Sequence, residues 1–162
     1  YEVPVGFKYI SSAIDKYDAV LGGESSGGLT VRGHINGKDS IYAASLFVEM
    51  ICSMNKSPSE LIDELILKYG NFVMVEDNNH FDPSDKPRII DLLMVKHQLP
   101  DFGGRKIRKV SYEDGCKVTF EDDSFIICRF SGTESLLRIF AEASNETSAL
   151  ELVSIFKEFL SK

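Results

Sequence analysis

The chain has 162 residues, 43% hydrophobic and 27% charged, a balance that suits one large or two small folded domains and excludes a disordered, collagen-like or coiled-coil polypeptide. Eighteen basic against 25 acidic residues leave a formal charge of −7, which opposes general attraction to nucleic acid or to an anionic membrane, so any anionic ligand has to be held by a local cluster of donors. No apolar run approaches the ~20 residues that span a bilayer, no signal-peptide pattern opens the chain, and Cys52, Cys116 and Cys128 lack C-x-x-C spacing, so the expectation is a cytoplasmic protein with buried, reduced thiols and neither a disulfide framework nor a zinc site.

The opening Tyr1-Glu2-Val3-Pro4-Val5-Gly6 reads as the interior of a structured region, which implies a longer parent chain. Residues 7–17 suit a short helix. Asp18-Ala19-Val20-Leu21 reads as a buried strand that delivers the loop Gly22-Gly23-Glu24-Ser25-Ser26-Gly27-Gly28 to its end. Asp39 is placed to cap a helix through about Met54, with Ile41, Ala44, Val48, Ile51 and Cys52 at helical spacing. Ser57-Pro58-Ser59-Glu60 then combines a capping box with proline at the first helical position. Leu61, Ile62, Leu65, Ile66 and Tyr69 form one apolar face before Gly70 ends the helix.

After Gly70 the texture changes. Residues 72–75 read as a strand, 77–84 as a polar loop, and Pro87 suits the first turn of a helix to about Gln98. Three extended runs follow, at 106–112, 116–121 and 125–130, joined by the acidic turns Glu113-Asp114-Gly115 and Glu121-Asp122-Asp123, the pattern of an antiparallel meander. Residues 136–142 look like a further strand. Asn145 to Leu160 closes the chain as an amphipathic helix with Leu152, Val153, Phe156 and Leu160 inward. The expected architecture is an α/β portion followed by an α+β domain with an antiparallel four-stranded sheet and two helices on one face.

Two loops have the residue types that chemistry needs. In Arg129-Phe130-Ser131-Gly132-Thr133-Glu134-Ser135-Leu136-Leu137-Arg138, between two strands, hydroxyls, a glycine and successive backbone N–H groups can form an anion nest, and arginine forks match phosphate oxygens. An ordinary polar hairpin whose arginines pair with nearby acids is the alternative. In the Gly22 to Gly28 loop, a carboxylate that accepts two O–H bonds and serines that give or take one suit the vicinal hydroxyls of a sugar, although glycine-rich strand ends are also plain turns. G-x-G-x-x-G is not matched. His34, His80 and His97 lack metal-ligand spacing and read as surface or loop residues. Arg32 is either added positive charge beside the sugar loop or a surface residue, and Arg105-Lys106 with Arg108-Lys109 reads as the wet face of a strand.

Taken in order, Val3-Pro4-Val5-Gly6-Phe7-Lys8-Tyr9-Ile10, Gly23-Glu24-Ser25-Ser26-Gly27, Gly37-Lys38-Asp39 opening a helix, and Arg129-Phe130-Ser131-Gly132-Thr133-Glu134 through Leu136-Leu137-Arg138 resemble the α-D-phosphohexomutase family, which includes phosphoglucomutases and phosphomannomutases. The resemblance runs over nearly the whole chain. It implies a four-domain enzyme that interconverts hexose 1-phosphate and hexose 6-phosphate through a phosphoserine and a hexose 1,6-bisphosphate intermediate, with Mg2+ held by a D-x-D-x-D loop of the second domain. Residues 1–70 would be the C-terminal part of the sugar-binding third domain and 71–162 the phosphate-binding fourth. Neither the serine loop nor a D-x-D-x-D run occurs in this sequence, so no catalytic residue and no metal site is expected here.

By motif position, the resemblance gives sugar contacts to Glu24, Ser26 and Lys8, and the non-reacting phosphate to Arg129, Ser131, Gly132, Thr133 and Arg138. The implied partners are the hexose phosphate substrate and the parent's first and second domains, with no nucleic acid and no membrane. Gly28 stands where many members carry histidine, and Ser135 where proline is usual. A free-standing, non-catalytic sugar-phosphate-binding module is the alternative reading.

Overall fold

In a computed structural model, which describes residues 1–131 and 136–161, the chain divides into two compact units, Tyr1–Lys68 and Tyr69–Lys162. In the first, Gly6 at φ 130° turns the chain into α1 (Phe7–Tyr17), and Asp18, left-handed at φ 51°, ends it by donating its N–H to the Ile14 carbonyl. The inner face of α1 carries Ile10 and Ile14, both buried. Against it lies an antiparallel ribbon of β1 (Leu21–Gly23) and β2 (Leu29–Val31), with Leu21 opposite Val31 and Gly23 opposite Leu29. A Cβ on Gly22 would come within 2.5 Å of the Ile10 side chain, so the close approach of ribbon and helix requires glycine there.

The buried strand expected at residues 18–21 is corrected by this geometry. Asp18 belongs to the helix cap, the strand begins at Leu21, and Val20 and Leu21 are 63% and 58% exposed. The physical reason is strand alternation: Gly22 takes the face toward α1, so Leu21 takes the other.

The next two helices start where capping chemistry places them. For α2 (Ser40–Met54), the Asp39 carboxylate accepts from the Ile41 and Tyr42 amides at 3.1 and 3.0 Å. For α3 (Pro58–Tyr69), the Ser57 amide donates to Glu60 at 2.7 Å while the Glu60 amide donates to the Ser57 hydroxyl at 3.4 Å. Neither helix has a buried residue; Ile41 and Leu67 are 80% and 89% exposed.

The second unit is built on an antiparallel sheet of β3 (Val73–His80), β4 (Ile107–Ser111), β5 (Cys116–Phe120), β6 (Phe125–Phe130) and β7 (Leu136–Ala143), in the order β3-β7-β6-β5-β4. The sheet thus has five strands rather than four. The fifth is β3, expected as a strand only over residues 72–75; it joins the sheet and runs on through Asn78, Asn79 and His80, where a polar loop was expected, because their backbones pair with Arg138, Leu137 and Leu136 of β7. Ladder pairing with a central strand overrides the poor strand propensity of asparagine.

Alternation along the strands sends Cys116, Val118, Phe120, Ile126, Cys128, Leu137, Ile139, Ala141 and Ala143 into one core. Over that face pack α4 (Lys86–Ile90), prolonged by a π turn at Asp91–Val95, and α5 (Glu146–Leu160), capped by Asn145. Leu152, Val153, Phe156 and Leu160 are buried as the helical spacing predicts. The helix begun near Pro87 stops short of Gln98, because His97 takes a left-handed conformation at φ 52°.

Candidate functional site

The first unit's loop is a tight, self-closed turn. The Glu24 amide donates to the Gly28 carbonyl at 3.0 Å, the Gly27 amide donates to the Glu24 carbonyl at 2.9 Å, and Gly27 supplies the required φ of +88°. The Glu24 carboxylate is about one-fifth exposed and pairs with the ammonium of Lys38. That bond, with a second from the Ser26 hydroxyl, holds its pKa below the usual value against the opposing effect of burial. Glu24 is therefore an anionic acceptor at neutral pH.

Lys38 comes from a different segment, next to the Asp39 that caps α2, and its ammonium also lies 5.4 Å from the Phe7 ring centroid. A pocket of about 210 Å³ opens here, lined by Ser26, Gly27, Gly28, Lys38, Asp39 and Ser40 among others. Sequence reading placed Lys38 only as part of a helix opening. Thirteen residues of intervening chain hide its pairing with Glu24, and only the fold reveals it.

Ser26 stands exposed at the pocket, whereas Lys8 stands exposed on α1 with its ammonium 4.8 Å from the Tyr9 ring centroid. Among the described residues, no hydrogen bond or ion pair joins Lys8 to Glu24 or Ser26. A Cβ on Gly28 would meet the Glu24 carboxylate at 2.7 Å and Lys38 Cε at 3.0 Å. The Glu24–Lys38 pair thus occupies the space that a side chain at position 28 would need.

In the second unit, Arg129 on β6 and Arg138 on β7 are directly opposite each other and share the sheet face away from the helices. Like charges in that position repel, a cost that a bound anion would reverse. Arg129 makes a long contact, 3.5 Å, to Asp114, and among the described residues the buried Arg138 Nε has no hydrogen-bond partner. Beyond them, the Ser131 amide donates to the Leu136 carbonyl at 2.8 Å, closing the base of the connecting loop. Gly132 and Thr133, with Glu134 and Ser135, lie outside the described residues.

Several of the remaining candidates have structural partners. Arg32 pairs with Asp18 at 2.7 Å, Arg105 with Glu151 at 3.0 Å and Arg108 with Asp123. His34 donates from Nε2 to the Asp39 carboxylate at 2.9 Å and stacks on Tyr42, and His97 stacks on Tyr112. Cys116 and Cys128 are buried, which pushes the Cys116 thiol up to about 11 and raises the Cys128 thiol as well. Cys52 corrects the expectation of three buried thiols, being exposed on α2, a helix that buries nothing. Among the described residues, no three His, Cys, Asp or Glu side chains converge as a metal site, and no helix is long and apolar enough to cross a membrane.

Comparison with known proteins matches residues 1–69 to the family model described as phosphoglucomutase/phosphomannomutase, alpha/beta/alpha domain III. A phosphoglucomutase/phosphomannomutase of Thermococcus kodakarensis is 31% identical over 151 residues, which cover 93% of this chain and 30% of that protein. A phosphoglucosamine/phosphogalactosamine mutase of Sulfurisphaera tokodaii is 28% identical over 156 residues, covering 96% of this chain and 32% of its own length. The open form of the Paramecium phosphoglucomutase parafusin has the same fold, with a TM-score of 0.77 at 22% identity over 99% of this chain and 33% of its own. The chain thus spans about a third of the length of the proteins it matches.

Proposed function

The chain belongs to the phosphoglucomutase/phosphomannomutase family, and from that premise we propose that it is the sugar-hydroxyl and phosphate grip of an enzyme that moves a phosphoryl group between the 1- and 6-positions of a hexose. In this reading Glu24 and Ser26, with Lys8, accept and donate to sugar hydroxyls, while Arg129, Ser131, Gly132, Thr133 and Arg138 hold the phosphate that is not reacting. The observation that carries it is the pair of opposed arginines, one of them with a buried Nε that lacks a partner among the described residues, at the foot of the loop whose sequence resembles the family's.

A mutase has to accept its substrate in two orientations. A fixed phosphate grip combined with hydroxyl contacts that tolerate a flip permits this, and binding energy from the remote phosphate positions the reacting one. Phosphoryl transfer depends on positioning and charge stabilisation. In this reading the parent's second domain supplies Mg2+ and its first domain the phosphoserine, as the resemblance implies, and hexose 1,6-bisphosphate is the intermediate that the grip retains.

The test is titration of the isotopically labelled chain with glucose 1-phosphate and with inorganic phosphate, following the Gly27 and Gly132 amides by NMR. Both loops should respond saturably to the sugar phosphate, and only Gly132 to inorganic phosphate. Glu24→Ala should weaken glucose 1-phosphate more than inorganic phosphate; equal losses would refute a sugar contact. Absence of any saturable shift would refute the grip in this chain.

A further inference from the structure

Asparagine is depleted in strands, yet Asn78 and Asn79 form part of the C-terminal end of β3, where the sequence alone predicts a loop. A conflict between local preference and the adopted structure tends to mark a functional position. The register shows what the conflict achieves. Asn78 is directly opposite Arg138, which on its other side is directly opposite Arg129. Residues directly opposite share a face, with Cβ atoms about 4.5–5.5 Å apart. One row across three strands therefore presents an amide and two guanidinium groups on the face that the helices leave open.

Asn78 is exposed, as edge-strand position allows, and its side-chain amide has no partner among the described residues. Asn79, its neighbour, faces the core side with Asp77, whose carboxylate is taken by Lys157 at 2.9 Å. Of the two asparagines, only Asn78 stands beside the arginines.

We propose that Asn78 is a further phosphate-binding residue, its side-chain amide donating to the phosphate that Arg138 holds, from the side opposite Arg129. A phosphate monoester has three terminal oxygens, and two guanidinium forks in a line leave lone pairs on the far side of the group unsatisfied. A neutral donor supplies a bond there without adding a third positive charge to a row that already repels itself. The inference rests on the phosphate reading of the second unit, and it assigns β3 a role that the loop motif does not include.

The experiment is a titration of the labelled full chain with inorganic phosphate, following the Arg138 Nε–H and Asn78 side-chain NH2 signals. Both should shift with one dissociation constant. Asn78→Leu should weaken phosphate roughly three- to tenfold, the net worth of one ordinary hydrogen bond made at an exposed site. Asn78→Asp, which keeps the shape but offers Arg138 a competing carboxylate, should weaken it more. An unchanged dissociation constant in both variants, with Arg138→Ala losing phosphate, would overturn the role of Asn78 alone. Wild-type affinity in both Arg129→Ala and Arg138→Ala, or no saturable shift in the unaltered chain, would overturn the phosphate reading itself. Thermal midpoints within error of wild type show that the variants read binding and not folding.

Discussion

Gly115 lies in close backbone approach to Cys128 and Arg129 of β6. It has φ +88°, and a Cβ there would lie 2.4 Å from the Cys128 carbonyl oxygen and 3.1 Å from both Cα and Cβ of Arg129. Two costs therefore meet in Gly115→Ala: about 1–2 kcal/mol for left-handed backbone in an L residue and about 1–3 kcal/mol for forcing a methyl group into packed space whose neighbours are backbone. Together they predict a loss of about 2–5 kcal/mol, a large share of the ~5–15 kcal/mol that holds a typical domain. Gly104, in the same unit at φ +80°, has nothing within 4 Å of its virtual Cβ. Gly104→Ala should therefore cost only the backbone part, about 1–2 kcal/mol. Urea unfolding, read by circular dichroism and by exchange of the Val118 and Ile126 amides, compares the two. Gly115→Ala should also weaken phosphate by displacing Arg129, whereas Gly104→Ala should not. Equal stability losses in the two variants would refute the steric argument.

The Ser124 hydroxyl, its amide and Arg105 hold the Asp122 carboxyl below its ordinary pKa despite partial burial. A folded value below the unfolded one means stability that is present above about pH 3.9 and lost as pH falls through the lowered value. Urea midpoints should therefore drop on acidification below about pH 4, and Asp122→Asn should show a shallower drop; identical acid slopes would refute the linkage. Burial of Cys116 and Cys128 with raised pKa values predicts that iodoacetamide at neutral pH modifies Cys52 alone in the folded chain, and all three thiols in urea. Labelling of Cys116 at the rate of Cys52 would contradict the core as described.

Much of the local structure was legible in the sequence because its causes are local. Asp39, the Ser57 to Glu60 box and Asn145 announce three helix starts through side chains that satisfy the first-turn amides. The alternation of Val118 and Phe120 with Lys117 and Thr119 announces a strand with one wet face. The two loops were legible as motifs, since hydroxyls, glycines and arginines at fixed spacing are sequence properties.

What only the tertiary structure decided is pairing between distant segments. Nothing near residue 78 says that two asparagines extend a strand; β7 decides it by offering a ladder of backbone partners 60 residues away in sequence. The same holds for Lys38, which reaches Glu24 because α1, the ribbon and the start of α2 fold together. It holds for Arg129 and Arg138, whose repulsive apposition follows from β6–β7 register. Side-chain chemistry is written residue by residue, but which charges face each other depends on contacts that form only when the chain has closed its long loops.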